Sequence, residues 1–565
     1  MKRKILIVGG VAGGASVAAR VRRLDENAEV IMFDRGPHVS FSNCSLPYHL
    51  SGIVEDSESL VLMNPEIFKS RYNIDARIHS EVVKINRDEK TIIVRNLTSN
   101  EEYEEAYDKL VLSPGASPIR PAQIEGINRD NVFTVRNVAD IDQLNRYLID
   151  RKVKDVAVIG GGFIGVEVAE NLRLAEYNVS LVEFADQIMT AFDYDMAQIL
   201  HKQMVDHGVN LVVNDGLAKI TDNHIETQSG EKYAAQAVVL AIGVRPETSL
   251  AEAAGLEIGV TGGIKVNQHY LTTDSNIYAV GDAIEVHHRL LHKPTRLALA
   301  GPAQKQARAV ADHIYGIPSR QLGVIGSSSM HLFDLNAAST GLNEKTAEAA
   351  GFSHDSVYIL PSDKVSLMPD SSVMHFKLVY EVPTGRILGA QAIGKGNVDK
   401  RIDVIATMIT MNGTLADLKD LELSYSPMLG TAKDVVNHAA LVALNQLNGY
   451  YREVKVSQVR ELVENDAFII DAREPGEFER GHLKTAVNIP LSQFRDRLSE
   501  IPKDQPVYVH CRSGQRSYNM VMALQNLGFT NVFNISGSFL GINLYEYFND
   551  LVTGREKIVT KYNFN

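Results

Sequence analysis

The chain has 565 residues, 45% hydrophobic and 22% charged, which is too long for one hydrophobic core and typical of a multidomain globular protein. Its formal net charge of −12 and the lack of a Lys/Arg-rich run argue against a nucleic acid or an anionic membrane surface as partner. No apolar run approaches the roughly 20 residues that span a bilayer, and glycines interrupt the short one near the N-terminus, so we predict a cytoplasmic protein without a signal peptide.

The first predicted element is a strand–turn–helix–strand unit over residues 4–35. An apolar strand leads into a glycine-rich turn and a helix of small residues, and a second strand ends in Asp34. In such a unit the glycines let the backbone approach a pyrophosphate at a helix N-terminus, and the acid accepts hydrogen bonds from a ribose. Gly9 and Gly14 match the outer glycines of the GxGxxG fingerprint, but Val11 stands at the middle one, so we expect the closest backbone approach to differ there.

Residues 153–183 repeat this unit with the complete fingerprint. Gly160, Gly162 and Gly165 have the GxGxxG spacing, and Glu183 ends the second strand. An acid at this place bonds the 2′-hydroxyl of NADH and repels the 2′-phosphate of NADPH, and the next two residues supply no arginine. We therefore predict a second adenine dinucleotide site that prefers NADH and disfavours NADPH.

Shorter motifs complete a resemblance to the two-dinucleotide-domain flavoprotein reductases that covers residues 1 to about 447. SPGASP and AIGVRPE resemble the crossovers between the FAD and NADH domains, and TTDSNIYAVGDA resembles the second FAD fingerprint, whose Asp bonds the ribitol. The resemblance implies that the following helix, predicted to begin near Ala300, approaches the isoalloxazine ring. The further cofactor-binding residues that it implies are Arg35, Ser113, Pro114, Gly115, Gly243, Asp282 and Ala300.

The same resemblance implies the order of the domains. It predicts an α/β fold with two Rossmann-like dinucleotide-binding domains, one inserted in the other. We place the FAD-binding domain at residues 1–119 and 271–325 and the NAD-binding domain at 120–270. An α/β dimerisation domain follows at 326–447 and implies a homodimer.

Two cysteines, Cys44 and Cys511, are the only ones in the chain, and each is either an inert core residue or a reactive thiol. Residues 40–48, SFSNCSLPY, resemble the SFxxCGLPY signature of the single-cysteine branch, which comprises coenzyme A-disulfide reductases, persulfide reductases, NADH oxidases and NADH peroxidases. Cys44 must then react with a sulfur or oxygen that is not a neighbouring protein thiol. Because only the thiolate attacks sulfur, we expect a helix N-terminus or cationic surroundings to lower its pKa.

The choice among members of this branch depends on a few positions. The oxidases and peroxidases carry a peroxide-handling histidine where this chain has Ala12, which disfavours oxygen chemistry. Tyr425 matches a tyrosine that coenzyme A-reducing members supply from the partner subunit, but residues 367–369 read LMP instead of Tyr-Tyr-Pro, and Ser45 replaces the usual glycine. Coenzyme A disulfide and smaller persulfides or polysulfides therefore stay open as substrates. The residues that the resemblance places at coenzyme A are Ser16, Arg20, Arg23, Ser40, Asn43, Arg71 and Lys433.

The C-terminal stretch contains DAREP, GHL and CRSGQRS and resembles the rhodanese domain over about 105 residues. An apolar strand, Val507–His510, delivers Cys511 to a loop that precedes a helix predicted from about Tyr518. Loop amides and the helix N-terminus would stabilise an anionic persulfide on this sulfur, and Arg512 and Arg516 add positive charge. Four residues separate Cys511 from Arg516, which is the short loop of rhodaneses that transfer sulfane sulfur rather than the longer loop of cysteine phosphatases.

We place the rhodanese-like domain at residues 452–565 and assign Cys511 the role of sulfur carrier. His510 is interpreted as structural rather than as a base, because a strand residue next to the nucleophile normally points away from the loop. His482 is interpreted as a packing and hydrogen-bonding residue. No metal site is predicted.

These features predict a homodimeric FAD- and NADH-dependent reductase of low-molecular-weight persulfides, polysulfides or coenzyme A disulfide, with a fused sulfurtransferase domain. Cys44 would be the flavin-coupled thiol, and its substrate would be a small-molecule thiol, disulfide or persulfide, or a persulfide bound to Cys511. Two alternatives stay open. One is an NADH oxidase or peroxidase that cycles Cys44 through a sulfenate, and the other is a rhodanese domain that only binds sulfur or docks.

Overall fold

The computed structural model of the protein describes residues 3–564, so the outermost residues of the predicted first and last domains, Met1, Lys2 and Asn565, lie outside the described residues. The chain forms two compact units. The first unit runs to Asp186 and resumes over Gly208–Val324. The second combines Gln187–His207 with the chain from Ile325 onward.

The α-helices begin close to the predicted positions with one exception. Helices follow both glycine loops, and another begins at Ala300 as predicted, whereas the helix after Cys511 begins at Gln515 rather than near Tyr518. It begins earlier because Gly514, at φ 105°, closes the preceding loop within three residues. In chain order the helices are α1 (Ala12–Leu24), α2 (Pro47–Leu50), α3 (Pro65–Tyr72), α4 (Val138–Asp150), α5 (Phe163–Leu174), α6 (Tyr194–Asp206), α7 (Ser249–Ala253), α8 (Ala300–Ile314), α9 (Glu344–Ala349), α10 (Val398–Thr410), α11 (Leu415–Lys419), α12 (Val435–Leu447), α13 (Val459–Glu464), α14 (Pro475–Glu479), α15 (Gln515–Asn526) and α16 (Ser538–Thr553).

The β-strands are mostly short runs of β-branched and aliphatic residues, a composition that suits strands buried on both faces. In chain order they are β1 (Lys4–Val8), β2 (Glu29–Phe33), β3 (Asp75–Arg77), β4 (Ser80–Asn86), β5 (Thr91–Asn96), β6 (Glu102–Ala106), β7 (Lys109–Leu112), β8 (Ala116–Pro118), β9 (Val132–Phe133), β10 (Asp155–Ile159), β11 (Asn178–Val182), β12 (Asn210–Val212), β13 (Leu217–Ile220), β14 (His224–Thr227), β15 (Lys232–Ala234), β16 (Ala237–Leu240), β17 (Val244–Pro246), β18 (Ile277–Ala279), β19 (Val286–His288), β20 (Lys293–Thr295), β21 (Ser328–Leu332), β22 (Leu335–Gly341), β23 (His354–Ile359), β24 (His375–Glu381), β25 (Ile387–Gly394), β26 (Glu453–Val454), β27 (Phe468–Asp471), β28 (Ala486–Asn488), β29 (Val507–His510) and β30 (Val532–Ile535).

The first unit contains two parallel five-stranded sheets, in the orders β18-β7-β1-β2-β3 and β12-β11-β10-β16-β9. In each sheet the strand that precedes the glycine loop is central. It pairs with the second strand of its unit from the first residue to the last, as in Ile5↔Val30 and Val156↔Val179. The antiparallel pair β8 and β17 is formed by the two predicted crossover motifs. The fold class predicted from the glycine loops is therefore confirmed for this unit: two doubly wound α/β sheets, one inserted between the strands of the other.

The second unit also contains two sheets. One is antiparallel, in the order β21-β22-β25-β24-β23, and packs against α10 and α12. The other is parallel, in the order β26-β30-β29-β27-β28, and carries Cys511 directly after its central strand β29. Helix α6 packs against α16 in this unit, where the Tyr194 hydroxyl donates to Asn549 Oδ1 at 3.1 Å. None of the helices within residues 3–564 has the length and apolar character that crossing a bilayer requires.

Candidate functional sites

The first glycine loop is packed too closely for side chains. Gly9 has φ 94°, and a Cβ on it would lie 2.0 Å from the carbonyl oxygen of Ser113. A Cβ on Gly14 would lie 1.8 Å from the carbonyl oxygen of Gly9. Val11, at the N-cap of α1, lines the adjoining cavity, so this loop carries a side chain at the position where the complete fingerprint has its middle glycine.

Asp34 closes the other side of this loop. Its carboxylate accepts hydrogen bonds from the backbone N–H of Gly10 at 2.9 Å and of Gly36 at 2.8 Å. The next residue, Arg35, forms an ion pair with Glu247 of the second crossover motif, with 3.5 Å between nitrogen and oxygen. A carboxylate held rigidly at the end of β2 is in position to accept from ribose hydroxyls.

A cavity of about 280 Å³ lies beside this loop and gathers residues from distant parts of the first unit. Asp282 lies at its edge, and burial raises the pKa of that carboxyl. Arg136, which the sequence interpretation missed, also lines the cavity and donates to Ser117 Oγ at 3.0 Å. The Arg136 donors, the Asp282 carboxyl and the glycine backbone without side chains together fit FAD. The predicted cofactor residues that line the cavity are Gly9, Asp34, Arg35, Ser113, Pro114, Gly115 and Asp282, and α8, which begins at Ala300, reaches it through Ala303.

The second glycine loop has the same construction and one open position. Gly160, at φ 105°, and Gly165 both pack against backbone, whereas a Cβ on Gly162 would meet nothing within 4 Å. Glu183 accepts from the backbone N–H of Gly161 at 2.5 Å and of Ala185 at 2.7 Å, as Asp34 does with its own loop. The open backbone at the N-cap of α5 and the fixed acid fit a dinucleotide. Gly243, at φ 103°, accepts from the N–H of Ile119 at the crossover.

Cys44 is exposed and lies in a 3₁₀ turn, Asn43–Ser45, that leads directly into α2. Its neighbour Asn43 lines the FAD cavity, so the thiol stands beside that cavity. The turn is held by a hydrogen bond between the hydroxyls of Ser42 and Ser45 at 2.8 Å. The signature has a glycine at position 45, and here the hydroxyl of Ser45 helps to hold the turn instead.

The surroundings of Cys44 are acidic, which corrects the expectation of a lowered pKa. Although the residue is exposed, nearby protein removes enough water from the sulfur to raise the thiol pKa, and the charges of Glu167 and Asp282 raise it further. Helix α2 has only four residues and does not offset these charges. A neighbouring positive group would have to come from bound cofactor, from substrate or from another subunit.

The sequence interpretation also missed Glu167 and Tyr48. Glu167 lies on α5, which packs against α2, and burial together with Glu170 raises the pKa of its carboxyl to about 7. Burial also raises the pKa of Tyr48, as do the charges of Glu167, Glu170 and Cys44. A sequence signal did exist, because Glu167 follows the second glycine fingerprint by two residues, but nothing in the sequence connects it with Cys44.

The residues predicted to hold coenzyme A are not all free to do so. Arg20, on α1, is bound to Asp312 of α8 through Nε at 2.8 Å and Nη2 at 2.6 Å. Arg23 and Arg71 are exposed, whereas Ser40 is buried. Ser16 is half-buried on α1, Asn43 is exposed, and Lys433 is exposed in the second unit.

The loops that carry Tyr425 and Leu367 adjoin each other in the second unit. The N–H of Val365 donates to the carbonyl of Gly430 at 3.2 Å. Tyr425 is 51% exposed and Leu367 is 86% exposed, and Met368 is half-buried beside it. The three side chains that depart from or match the coenzyme A pattern thus lie in two neighbouring surface loops.

Cys511 is 1% exposed, and hydrogen-bond donors surround its sulfur. The N–H of Gly514 donates to Sγ at 3.2 Å and the Ser517 hydroxyl at 3.6 Å. The N–H of Cys511 itself donates to Ser538 Oγ at 3.3 Å. With α15 beginning at Gln515, this is the predicted arrangement of loop amides and a helix N-terminus, and it suits an anionic sulfur.

An acid that the sequence interpretation did not connect with this loop offsets the positive charge of Arg516. Arg516 donates to both oxygens of Glu477, at 2.6 and 2.8 Å, and these hydrogen bonds lower the pKa of Glu477 to about 2. Arg473, which the interpretation missed, is buried and donates to Asp471 at 2.6 Å. Arg512 donates to the carbonyl of Phe564 at 3.5 Å and, among the residues described, has no carboxylate within ion-pair distance.

Both histidines near the loop have structural contacts. His510 is buried, its Nδ1 lies 3.1 Å from the carbonyl oxygen of Cys511, and burial lowers its pKa. His482 stacks on Phe478 at 3.7 Å between ring centroids, with Nδ1 2.9 Å from the Phe478 carbonyl oxygen. The contacts agree with the predicted packing roles. Within residues 3–564, no group of three His, Cys, Asp or Glu side chains could hold a metal ion.

Comparisons with known proteins agree with this geometry. Family models described as pyridine nucleotide-disulphide oxidoreductase, its dimerisation domain and rhodanese-like domain match residues 3–307, 327–435 and 455–544. A coenzyme A disulfide reductase of Staphylococcus aureus (strain JH9) is 34% identical over 435 residues, which are 77% of this chain and 98% of that protein.

Two solved structures resemble nearly the whole chain. One is reduced CoADR-RHD of Bacillus anthracis, 44% identical with a TM-score of 0.93, covering 96% of this chain and 98% of that one. The other is a NAD-dependent persulfide reductase from A. fulgidus, 32% identical with a TM-score of 0.91, covering 95% of this chain and 99% of that one. The similarity therefore extends through the C-terminal domain.

Proposed function

Because the chain belongs to the pyridine nucleotide-disulphide oxidoreductase family, we propose that it is an FAD- and NADH-dependent reductase of low-molecular-weight persulfides and disulfides with a sulfurtransferase domain. One observation carries the proposal: an exposed thiol, Cys44, stands beside the dinucleotide cavity, and a buried thiol, Cys511, stands in a nest of donors. Neither cysteine has another cysteine near it in the sequence. A substrate sulfur must therefore complete each reaction.

In the proposed reaction the Cys44 thiolate attacks the persulfide RSSH. The S–S bond of the persulfide breaks, hydrosulfide leaves with the electron pair, and a Cys44–S–S–R bond forms. FAD, when bound, supplies two-electron chemistry between reduced nicotinamide and this sulfur. Regenerated Cys44 thiolate and the released thiol RSH close the cycle, with the balance NADH + H⁺ + RSSH → NAD⁺ + RSH + H₂S.

Cys511 serves in this scheme as a carrier of sulfane sulfur. Its sulfur receives two donors, from Gly514 and Ser517, which would stabilise the anion of a Cys511 persulfide. The loop has the four-residue spacing of rhodaneses that transfer sulfane sulfur, which is shorter than the loop with which cysteine phosphatases enclose phosphate. Coenzyme A is a candidate thiol carrier, supported by the exposed Arg23 and Arg71 but weakened by Leu367 and Met368.

The preference for NADH is part of the proposal and is supported by Glu183. Its carboxylate is held by two backbone N–H groups beside the open backbone of Gly162, so it cannot turn away from a ribose placed there. A fixed negative charge at this place opposes a 2′-phosphate. The following Phe184 is exposed and carries no charge.

We expect Glu183→Gln to reduce the preference for NADH over NADPH by about 10- to 100-fold in kcat/KM, or ~1.4–2.8 kcal/mol. The amide keeps one hydrogen-bond acceptor for the loop and removes the charge that repels the phosphate. Steady-state rates with each nucleotide measure the ratio. The exposed Asp186 provides the matched control, because Asp186→Asn removes a nearby charge without touching the loop; an equal effect of both variants would contradict the assignment.

A homodimer is also proposed. The match to a dimerisation-domain model supports it, as do the exposed apolar residues Leu367, Met428 and Leu429 on the adjoining loops of that domain. Burying such side chains against a second copy would remove apolar surface from water.

The proposed function is tested by anaerobic NADH consumption with coenzyme A persulfide, coenzyme A disulfide, polysulfide and hydrogen peroxide. A persulfide reductase releases one sulfide per NADH with the persulfide. Faster turnover with peroxide than with any sulfur compound would instead favour the oxidase or peroxidase alternative.

A further inference from the structure

The first turn of α16 holds the backbone of the loop that carries Cys511. The N–H of Phe539 donates to the carbonyl oxygen of Cys511 at 3.0 Å, and the N–H of Leu540 donates to that of Arg512 at 3.1 Å. Both N–H groups lie in the first turn of the helix, where the helix itself provides no acceptor. The carbonyls of the sulfur loop supply the missing acceptors, so the helix and the loop are joined directly.

Ser538, the first residue of α16, adds a third contact through its side chain. Its Oγ accepts the N–H of Cys511 at 3.3 Å, and Ser538 is fully buried. A buried backbone N–H needs an acceptor, and here the Ser538 hydroxyl provides it. The amide side and the carbonyl side of Cys511 are therefore both held by consecutive residues of α16.

The backbone of Ser538 is strained. Its φ of 47° lies in the left-handed region, which residues that carry a Cβ rarely adopt. The preceding Gly537, at φ 72°, is also left-handed, but a glycine adopts this conformation readily. Strained residues of this kind persist only where the surrounding structure fixes them, and they cluster at functional sites. The strain of a serine, where a glycine would have none, points to a use for its hydroxyl.

A tyrosine of the dimerisation domain fixes this turn, within the same compact unit as the sulfur loop. A Cβ on Gly537 would lie 2.8 Å from Tyr358 Cε1, and one on Gly541 would lie 3.2 Å from the same atom. The Tyr358 side chain is buried, and its hydroxyl lies 2.6 Å from Nδ1 of His375 on the neighbouring strand β24. The ring therefore packs against the turn before Ser538 and holds its left-handed backbone in place.

We propose that Ser538 is a positioning residue for sulfur transfer at Cys511. This inference rests on the proposed carrier role of Cys511 and names the residue that fixes its backbone. In the transfer step the Cys511 thiolate attacks the outer sulfur of a persulfide RSSH, and a new S–S bond forms. The original S–S bond breaks, the thiol leaves as RSH with the electron pair and the proton, and the anion Cys511–S–S⁻ is the product.

The attack requires the Cys511 sulfur to approach along the S–S bond that breaks. A nucleophile held in the correct direction reacts faster than one that must first be oriented. The Ser538 contact fixes the main chain from which the Cys511 side chain extends, with Sγ 3.2 Å from the N–H of Gly514. Loss of the hydroxyl frees the Cys511 amide, whereas the contacts from Phe539 and Leu540 remain.

Two substitutions remove this hydroxyl and differ in backbone strain. Ser538→Ala keeps a Cβ on the left-handed backbone, whereas Ser538→Gly removes the Cβ and with it the strain. We therefore expect the melting temperature of Ser538→Gly to exceed that of Ser538→Ala by about 2 °C. An equal loss of transfer rate in both variants would then come from the missing hydroxyl and not from lower stability.

The rate at which sulfur is loaded onto Cys511 tests the proposal. Full-length holoenzyme is mixed anaerobically with glutathione persulfide, without NADH, and peptide mass spectrometry follows the extra sulfur on the Cys511 peptide with time. We expect both variants to load about 10-fold more slowly than wild type and to reach the same final occupancy. A misfolded fraction would instead lower the final occupancy and leave the rate of the folded fraction unchanged.

Ser536→Ala is the matched control. Ser536 is also buried and lies two residues earlier, and its N–H donates to the carbonyl of Val454 rather than to the sulfur loop. This variant should load sulfur at the wild-type rate. Loading at the wild-type rate by Ser538→Gly would overturn this proposal alone, whereas a wild type that acquires no sulfur on Cys511 would overturn the proposed carrier role with it.

Discussion

Cys44→Ser is expected to lower NADH-dependent persulfide reduction by at least about 10³-fold, the size of loss seen when an enzyme loses its nucleophile. Serine keeps the size of the side chain, but its hydroxyl neither ionises in this acidic cluster nor forms a disulfide with substrate. FAD binding should be unaffected, because Asn43 rather than Cys44 lines the cavity. Anaerobic NADH consumption and sulfide release measure the effect.

Ser42→Ala is the matched control for this variant. It removes the hydrogen bond between Ser42 and Ser45 that holds the turn and leaves the sulfur in place. A modest loss in Ser42→Ala beside a complete loss in Cys44→Ser would attribute the effect to the thiol and not to the turn. Persulfide reduction at the wild-type rate by Cys44→Ser would refute the role of this residue.

Cys511→Ser is expected to lower sulfane-sulfur transfer to a cyanide acceptor by at least about 10³-fold. The donors from Gly514 and Ser517 remain, but no sulfur is left to carry the transferred atom. Reduction of a small persulfide added in solution should continue at close to the wild-type rate, because that substrate reaches the exposed Cys44 directly.

The two cysteine variants serve as controls for each other. Cys44→Ser should transfer sulfur normally and fail to oxidise NADH, and Cys511→Ser should show the reverse. Sulfur transfer by Cys511→Ser at the wild-type rate would show that the C-terminal domain only binds sulfur or docks. Equal loss of both activities in both variants would point to misfolding instead, and melting temperatures identify that case.

The parts of the fold that depend on local chemistry are predictable from the sequence. Gly9 and Gly160 both need positive φ and close backbone approach, so the spacing of the glycines is enough to indicate two dinucleotide loops. The acids Asp34 and Glu183 directly follow the second strand of each unit, where the sequence places them, and they accept hydrogen bonds from their glycine loops. The start of α8 at Ala300 also follows from its motif.

Features set by packing between distant segments cannot be predicted in this way. Glu167 follows Cys44 by more than a hundred residues, and only the packing of α2 on α5 brings its charge to the thiol, so no sequence pattern indicates the raised pKa. Likewise, the sequence indicates that Arg516 adds positive charge near Cys511, but it does not reveal the ion pair of Arg516 with Glu477, which lies in a distant segment. The early start of α15 depends on the positive φ of Gly514. A glycine can adopt this conformation but need not, so the sequence alone does not predict where the helix begins.

The Cys44 sulfur is expected to form a covalent bond with the substrate, which NADH then reduces. Peptide mass spectrometry of the holoenzyme, exposed anaerobically to a glutathione or coenzyme A persulfide without NADH, tests it most directly. We expect the RS group of the persulfide on the Cys44 peptide before NADH is added, and its loss after one equivalent of NADH. An adduct that persists while NADH is consumed at the full rate would contradict the claim.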